Sequence, residues 1–165
     1  MMLVFRDNFF SSGVTEIVDE AGERAGELDL KSAFSSAADV YDRNGSLVYS
    51  GKFPFFSNKW VVSDRNEIEV GNLRYRMSFM SKRYEYDAGG RGIYEITSPA
   101  FSKEYEIRSE AGVLVADFSK ISGWFDSGAF ALNNHSDQLD SYELVCVILG
   151  MHQIVKRHNS AAASH

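Results

Sequence analysis

Two markers repeat through this chain at nearly the same interval, and that repeat limits its fold more than any other feature. Phe-Ser occurs at Phe10-Ser11, Phe34-Ser35, Phe56-Ser57 and Phe101-Ser102, with Met80-Ser81 filling the gap. Continued to Phe125, these positions step by 24, 22, 24, 21 and 24 residues. Between them run Asp19, Asp42, Asp64, Asp87 and Ser109, stepping by 23, 22, 23 and 22. A fixed period of this length makes each repeat one supersecondary unit. Four of the second set open a turn that ends in glycine: Asp19-Glu20-Ala21-Gly22, Asp42-Arg43-Asn44-Gly45, Asp87-Ala88-Gly89-Gly90 and Ser109-Glu110-Ala111-Gly112. The fourth residue is expected to supply the positive φ of a bulged hairpin, with Asp or Ser capping the turn. Asp64-Arg65-Asn66-Glu67 lacks the glycine, so that turn is expected to use Asn66 or another geometry.

What lies between the turns reads as strand. Leu73, Tyr75, Met77 and Phe79 alternate with Arg74, Arg76 and Ser78, which gives a period of two with one apolar face. Tyr105 and Ile107 alternate with Glu104, Glu106 and Arg108, and the segments from Ile93 to Thr97 and Val113 to Ala116 are rich in β-branched and aromatic residues. Each repeat therefore holds a hairpin, and six repeats give about twelve strands. Pro54 and Pro99, the only prolines, sit beside the Phe-Ser markers where one hairpin hands over to the next. No linker or low-complexity run divides the chain.

The C-terminal segment breaks the pattern. Asp137 and Asp140 suit a helix start, and Lys156, Arg157 and His158 suit its end. Within it, Leu144-Val145-Cys146-Val147-Ile148-Leu149-Gly150-Met151 is apolar without interruption. At 100° per residue those positions point in every direction, so the helix must be enclosed. The run is far shorter than the roughly 20 residues that cross a bilayer, so protein must enclose it. A closed barrel threaded by this helix covers the inner sheet face, fills a bore too wide for side chains alone, and leaves no sheet edge. The sequence thus predicts a mainly β domain over residues 1–158: about twelve antiparallel strands in six hairpin repeats, closed around a hydrophobic C-terminal helix at about 137–158. Residues 159–165 have the composition of a flexible tail.

Composition narrows the function classes. Lys plus Arg is 17 against 23 for Asp plus Glu, a net charge of −6, which argues against a nucleic-acid binder. The single cysteine, Cys146, excludes a disulfide framework and fits a reducing compartment. The segment Met1 to Arg6 reaches a charge before a signal-peptide core could form. A cytoplasmic protein without a transmembrane segment, at most peripheral to a membrane, is expected.

These residues resemble a known family. The hairpin repeat, the Asp-x-x-Gly turns, Glu104-Tyr105-Glu106-Ile107-Arg108 followed by Gly112-x-Leu114-Val115-Ala116-x-Phe118-Ser119-Lys120, and the apolar C-terminal helix are similar to the LURP-one-related family of the Tubby C-terminal-like superfamily. The resemblance spans roughly residues 3–158 and implies a twelve-stranded barrel around a central helix, the fold that phospholipid scramblases resemble. It implies a non-enzymatic binding or tethering module with a phospholipid headgroup as one candidate ligand. A scaffold for a protein partner, without lipid, is the alternative.

Individual motifs add little chemistry. Gly89-Gly90-Arg91-Gly92 lacks the Lys-Ser/Thr of a phosphate loop and precedes a strand, so it reads as a hairpin turn. There is no Gly-x-Ser-x-Gly elbow, and Cys146 lies mid-helix where its thiol would be buried and inert. His135, His152, His158 and His165 are poorly spaced for one metal. No catalytic, cofactor or metal site is assigned. The one lead is basic: Arg74, Arg76, Lys82 and Arg83 would form an anion or headgroup patch if they converge outside the barrel. The competing expectation pairs them with Glu67, Glu69, Glu85 and Asp87 across the hairpins. At about 1 kcal/mol per basic residue near a membrane, such a patch supplies at best roughly 4 kcal/mol, and the net charge opposes it, so anionic lipid is expected to bind weakly if at all. Phe53-Pro54-Phe55-Phe56 and Gly123-Trp124-Phe125 suit plugs for a barrel end, or an interfacial or partner surface if they are exposed.

Overall fold

A computed structural model describes residues 1–11, 13–31, 37–77, 82–98, 103–121 and 128–163. The strands are β1 (Met2–Phe5), β2 (Gly13–Asp19), β3 (Arg24–Leu30), β4 (Ala37–Tyr41), β5 (Leu47–Lys52), β6 (Trp60–Asp64), β7 (Glu69–Met77), β8 (Lys82–Asp87), β9 (Ile93–Thr97), β10 (Tyr105–Ser109), β11 (Leu114–Lys120) and β12 (Phe130–Asn134). Each pairs antiparallel with its sequence neighbours, and β1 closes the barrel against β12, with Met2 opposite Asn133 and Phe5 opposite Phe130. Five turn-linked hairpins carry the repeat. The sixth pair joins the two ends of the sheet, and where its turn would lie the chain leaves β12 for the helix α1 (Ser141–Ala163).

The turn chemistry sets the register. Gly22, Gly45 and Gly112 have φ of +79°, +77° and +80°, and Asp19 Oδ1 accepts from the backbone N–H of Ala21 and Glu23. The same bonds recur at Asp42 and Asp64. A one-residue bulge follows in each of these hairpins, at Ile17/Val18, Val40/Tyr41, Val62/Ser63 and Ile107/Arg108. Two expectations are corrected. Glu67, not Asn66, takes the left-handed conformation at +62°, so the hairpin keeps the common geometry without its glycine. In the β8–β9 turn the positive φ falls on Gly89 and Gly92 rather than Gly90, because a 3-10 turn at Gly89–Arg91 replaces the bulge.

Alternation along the strands builds the core. Ile17, Leu28, Val40, Val62, Leu73, Tyr86, Ile96, Ile107 and Phe118 point inward and are fully buried. Leu144 to Met151 of α1 are buried on every side of the helix, which therefore runs inside the barrel. Four glycines, three on strands and one on the helix, make room for large rings. Trp60 is held between Gly51 of β5 and Gly150 of α1, Tyr86 lies over Gly71, and Tyr142 lies over Gly26. The indole Nε1 of Trp60 donates to the Cys146 carbonyl at 3.1 Å.

The helix bounds differ from the expected 137–158. Ser136 Oγ accepts from the N–H groups of Gln138 and Leu139, which holds that stretch in a turn. Asp140 then caps the helix by accepting from Tyr142 N–H at 2.8 Å. At the other end no Gly or Pro stops the helix, so Asn159–Ala163 of the expected tail is helical, while residues 164–165 lie outside the described residues. No described helix is long and apolar enough to cross a membrane.

Candidate functional site

The predicted basic patch is partly assembled and partly neutralised. Arg74 and Arg76 share the outer face of β7, opposite Glu85 and Arg83 of β8. Arg74 Nη2 donates to Glu85 Oε1 at 2.8 Å, and Arg76 Nη2 reaches the same oxygen at 3.2 Å. Partial burial pushes the Glu85 carboxyl up, but the hydrogen bonds and charge of the two guanidiniums outweigh it and hold the group below its ordinary value. Arg83 lies 3.7 Å from Glu95. The Lys82 side chain lies outside the described residues. Beside these groups is a groove of about 450 Å³ whose lining includes Arg76, Arg83 and Arg108 together with Glu85, Glu95 and Glu110. An anion entering it meets balanced charge, not a positive field.

The more uneven charge lies at the barrel's two rims. Asp19, Asp42, Asp64 and Asp87 stand on the turn rim, joined by Glu20, Glu23, Glu67 and Glu110. Of the arginines in these turns, Arg43 is taken by Asp19 at 2.8 Å and Arg91 by Glu143, while Arg65 is exposed and makes no ion pair among the described residues. The opposite, loop rim carries Phe10-Ser11 and Phe56-Ser57; the other Phe-Ser markers lie outside the described residues. There Arg6, Lys52, Lys59, Lys120, Lys156 and Arg157 are exposed, and none makes an ion pair among the described residues. At the strand ends on that side, Asp29 and Asp39 both hold Lys31 at 3.1 Å, and Glu104 accepts from Lys120 N–H. Sequence reasoning missed this separation. The signal was available: all seven lysines lie within five residues of a Phe-Ser marker position or near the helix end, and none lies in an Asp-type turn.

From the same rim projects the β5–β6 loop. Ser57 N–H donates to the Pro54 carbonyl at 2.9 Å, closing a turn whose tip is Phe55 and Phe56. These side chains are 88% and 96% exposed, with ring centroids 4.2 Å apart. Phe56 sits at φ +59°, where L-residues with large side chains are strained. Phe53 fares differently. Its ring meets Trp60 edge-on at 5.2 Å and lies 3.5 Å beneath the Arg157 guanidinium, whose Nη1 donates to the Ser57 carbonyl. The expected plug is thus supplied by Phe53 but not by Phe55 or Phe56. Near this end, Phe5, Phe9, Phe118 and Phe130 form an aromatic cluster against which Phe10 packs. Gly123-Trp124-Phe125 lies outside the described residues.

At the turn rim a buried carboxylate was also missed. Glu143, which immediately precedes the apolar run, is 1% exposed and accepts from Tyr86 Oη at 2.5 Å. Arg91 donates to both its oxygens, at 2.7 and 2.8 Å, and to the carbonyls of Val70 and Gln138. Burial, then the Glu143 charge, pushes the Tyr86 hydroxyl far up, so it stays a donor. The cluster is saturated with hydrogen bonds and locks the helix start to the β8–β9 turn. The other reactive residues stand apart. Burial pushes the Cys146 thiol far up. His135 lies 3.4 Å from Asp117, His152 stacks on Phe10 and His158 meets the edge of Tyr75, while His165 is outside the described residues. Among the described residues no group of three His, Cys, Asp or Glu could hold a metal ion.

Comparison with known proteins bears on the fold alone. No family model matches the chain, and no curated protein matches it. Its structure is similar to the X-ray structure of the Arabidopsis thaliana protein AT5G01750, with a TM-score of 0.59 at 13% identity, covering 94% of this chain and 90% of that one.

Proposed function

We propose that this protein is a non-enzymatic binding module that attaches to an anionic phospholipid surface through the loop rim of its barrel. One observation carries the reading: exposed cations that make no ion pair among the described residues gather on that rim, while the acidic turns face the other way. The resemblance to the LURP-one-related and Tubby-like proteins supports it, since that superfamily includes lipid-headgroup binders. The net charge of −6 is a weaker objection than it looks from the sequence. A strand of six or seven residues holds the acidic rim about 20 Å away, more than two Debye lengths at physiological salt. At about 1 kcal/mol per basic residue near the surface, six cations supply roughly 6 kcal/mol, a reversible attachment between millimolar and micromolar. Such a protein would work as a peripheral tether at the cytoplasmic face.

Co-sedimentation with phosphatidylcholine vesicles, with and without phosphatidylglycerol, tests this in about 0.15 M salt. Pelleting should require phosphatidylglycerol, fall as salt rises, and be lost in Lys52→Glu/Lys59→Glu. The double variant Arg74→Glu/Arg76→Glu should matter less, because Glu85 already holds both guanidiniums. A chain that ignores anionic vesicles refutes the reading. The alternative, a scaffold for a protein partner, would then rest on the groove beside β8, where arginine and glutamate are balanced as in a polar protein interface.

A further inference from the structure

We infer that the Pro54–Ser57 turn is a membrane wedge, placing the rings of Phe55 and Phe56 in the interfacial layer of an anionic bilayer while Lys52, Lys59 and Arg157 stay among the headgroups. This rests on the proposed attachment through the loop rim and names the element that enters the membrane. Three observations carry it. The first is exposure. Two adjacent phenylalanines stand at the tip of one turn at 88% and 96%, beside a barrel interior that buries nearly every other large apolar side chain it holds. Water solvates such a pair poorly, and a lipid interface accepts it.

The second is backbone geometry. Phe56 occupies a left-handed conformation that glycine or asparagine adopts more readily. With that geometry both rings stand exposed at the apex of the turn, packed only against each other among the ring contacts of the described residues. The base of the turn is fixed as well, by Phe53 between Trp60 and Arg157 and by the Arg157 bond to Ser57. The base of the wedge is therefore held before it meets the membrane, which lowers the ordering cost of insertion.

The third is what surrounds the rings. Lys52 and Lys59 border the loop, are exposed, and make no ion pair among the described residues. Their long stems can lie along the inserted rings while the ammonium groups meet lipid phosphate. A convex pair of rings ringed by cations fits a fluid, negatively charged surface. A protein partner would have to supply a pocket shaped to receive it.

The experiment compares the wild-type chain, Phe55→Ser/Phe56→Ser and Lys52→Glu/Lys59→Glu on phosphatidylcholine vesicles containing phosphatidylglycerol, with thermal melts confirming that each is folded. A fourth variant, Phe55→Trp, is read by quenching from brominated acyl chains against the wild-type tryptophan background. The wedge requires that the double serine variant lose about ten-fold or more in vesicle partitioning at unchanged melting temperature. It also requires that the new tryptophan be quenched. If the serine variant partitions like wild type while the charge-reversed variant is lost, the rim still attaches but the wedge is wrong. If wild type does not bind at all, both fall. If the serine changes alter only the oligomeric state on size exclusion, a second copy covers the turn and the wedge is again refuted.

Discussion

Gly150→Ala gives the sharpest test of how the barrel is filled. In an ordinary helix this change stabilises, because glycine in a helix interior is about 1 kcal/mol worse than alanine. Here an added Cβ would lie 2.3 Å from Trp60 Cδ1 and 2.6 Å from its Nε1, more than 1 Å inside an ordinary contact. The ring cannot retreat. A Cβ on Gly51, on its other side, would lie 2.3 Å from Cζ2, so the indole already touches that backbone, and its N–H is tied to the Cys146 carbonyl. Overpacking of a well-filled core costs about 1–3 kcal/mol, and a ring fixed on both faces belongs at the upper end. The net expectation is a loss of about 2 kcal/mol after the helix gain is subtracted, a fall in Tm of about 4–8 °C for a chain this size. Thermal and urea melts measure it, with Gly90→Ala as a control, since nothing lies within 4 Å of a Cβ there. In a Trp60→Leu background the same Gly150→Ala change should become neutral or stabilising. A Gly150→Ala variant that melts higher than wild type, or an equal cost in both backgrounds, would refute the sandwich.

Arg91→Ala should cost about 3–5 kcal/mol in urea unfolding, because it leaves the Glu143 carboxylate buried with only Tyr86 as its donor. Glu67→Gly should raise Tm by about 2–4 °C, since glycine relieves the left-handed strain that the other bulged turns avoid with Gly22, Gly45 and Gly112. His152 is pulled down to about 4 by burial, with Lys103 and Lys156 adding to it, so the folded state favours the neutral ring. Its contribution is complete above about pH 6.5 and is lost as pH falls toward 4, up to about 3 kcal/mol before its partial exposure is discounted. Denaturation midpoints across that window should flatten in His152→Gln, whereas the contribution of Asp19 and Glu85, held below ordinary carboxylate values, is lost only at lower pH.

The repeat and the apolar run made most of the architecture legible, because both signals are local. An Asp-x-x-Gly turn and a period of two fix a hairpin, and an all-round apolar helix demands an enclosure whatever the partner strands are. What was illegible depends on which distant residues share a place. Glu143 reads as the edge of an apolar run until Arg91, 52 residues away, is brought against it. Gly150 reads as a weak helix former until Trp60 is packed on it. The basic patch had the opposite fate: the face shared by Arg74 and Arg76 was legible, but so was Glu85 across the hairpin, and only the register decides that both guanidiniums reach the same oxygen. The helix bounds slipped because Ser136 Oγ draws the N–H groups of Gln138 and Leu139 into a turn around Asp137, leaving Asp140 to cap the helix.

The choice of rim follows from what each part of the barrel has already committed. The interior is filled by the helix and by rings set over glycines, so a ligand finds no room there without displacing core. On the turn rim, the aspartates of three bulged hairpins spend an oxygen on their own backbone N–H groups, and Arg43 and Arg91 are held by Asp19 and Glu143. On the wall, Arg74 and Arg76 converge on Glu85 and Arg108 reaches Glu106. On the loop rim, Lys52, Lys59 and Lys156 have no such commitment among the described residues, and Phe55 and Phe56 bury almost none of their surface. Groups of that kind break no ion pair when they meet a new partner, whereas the aspartates, arginines and glutamates just named on the turn rim and the wall would first have to give up a bond they already make.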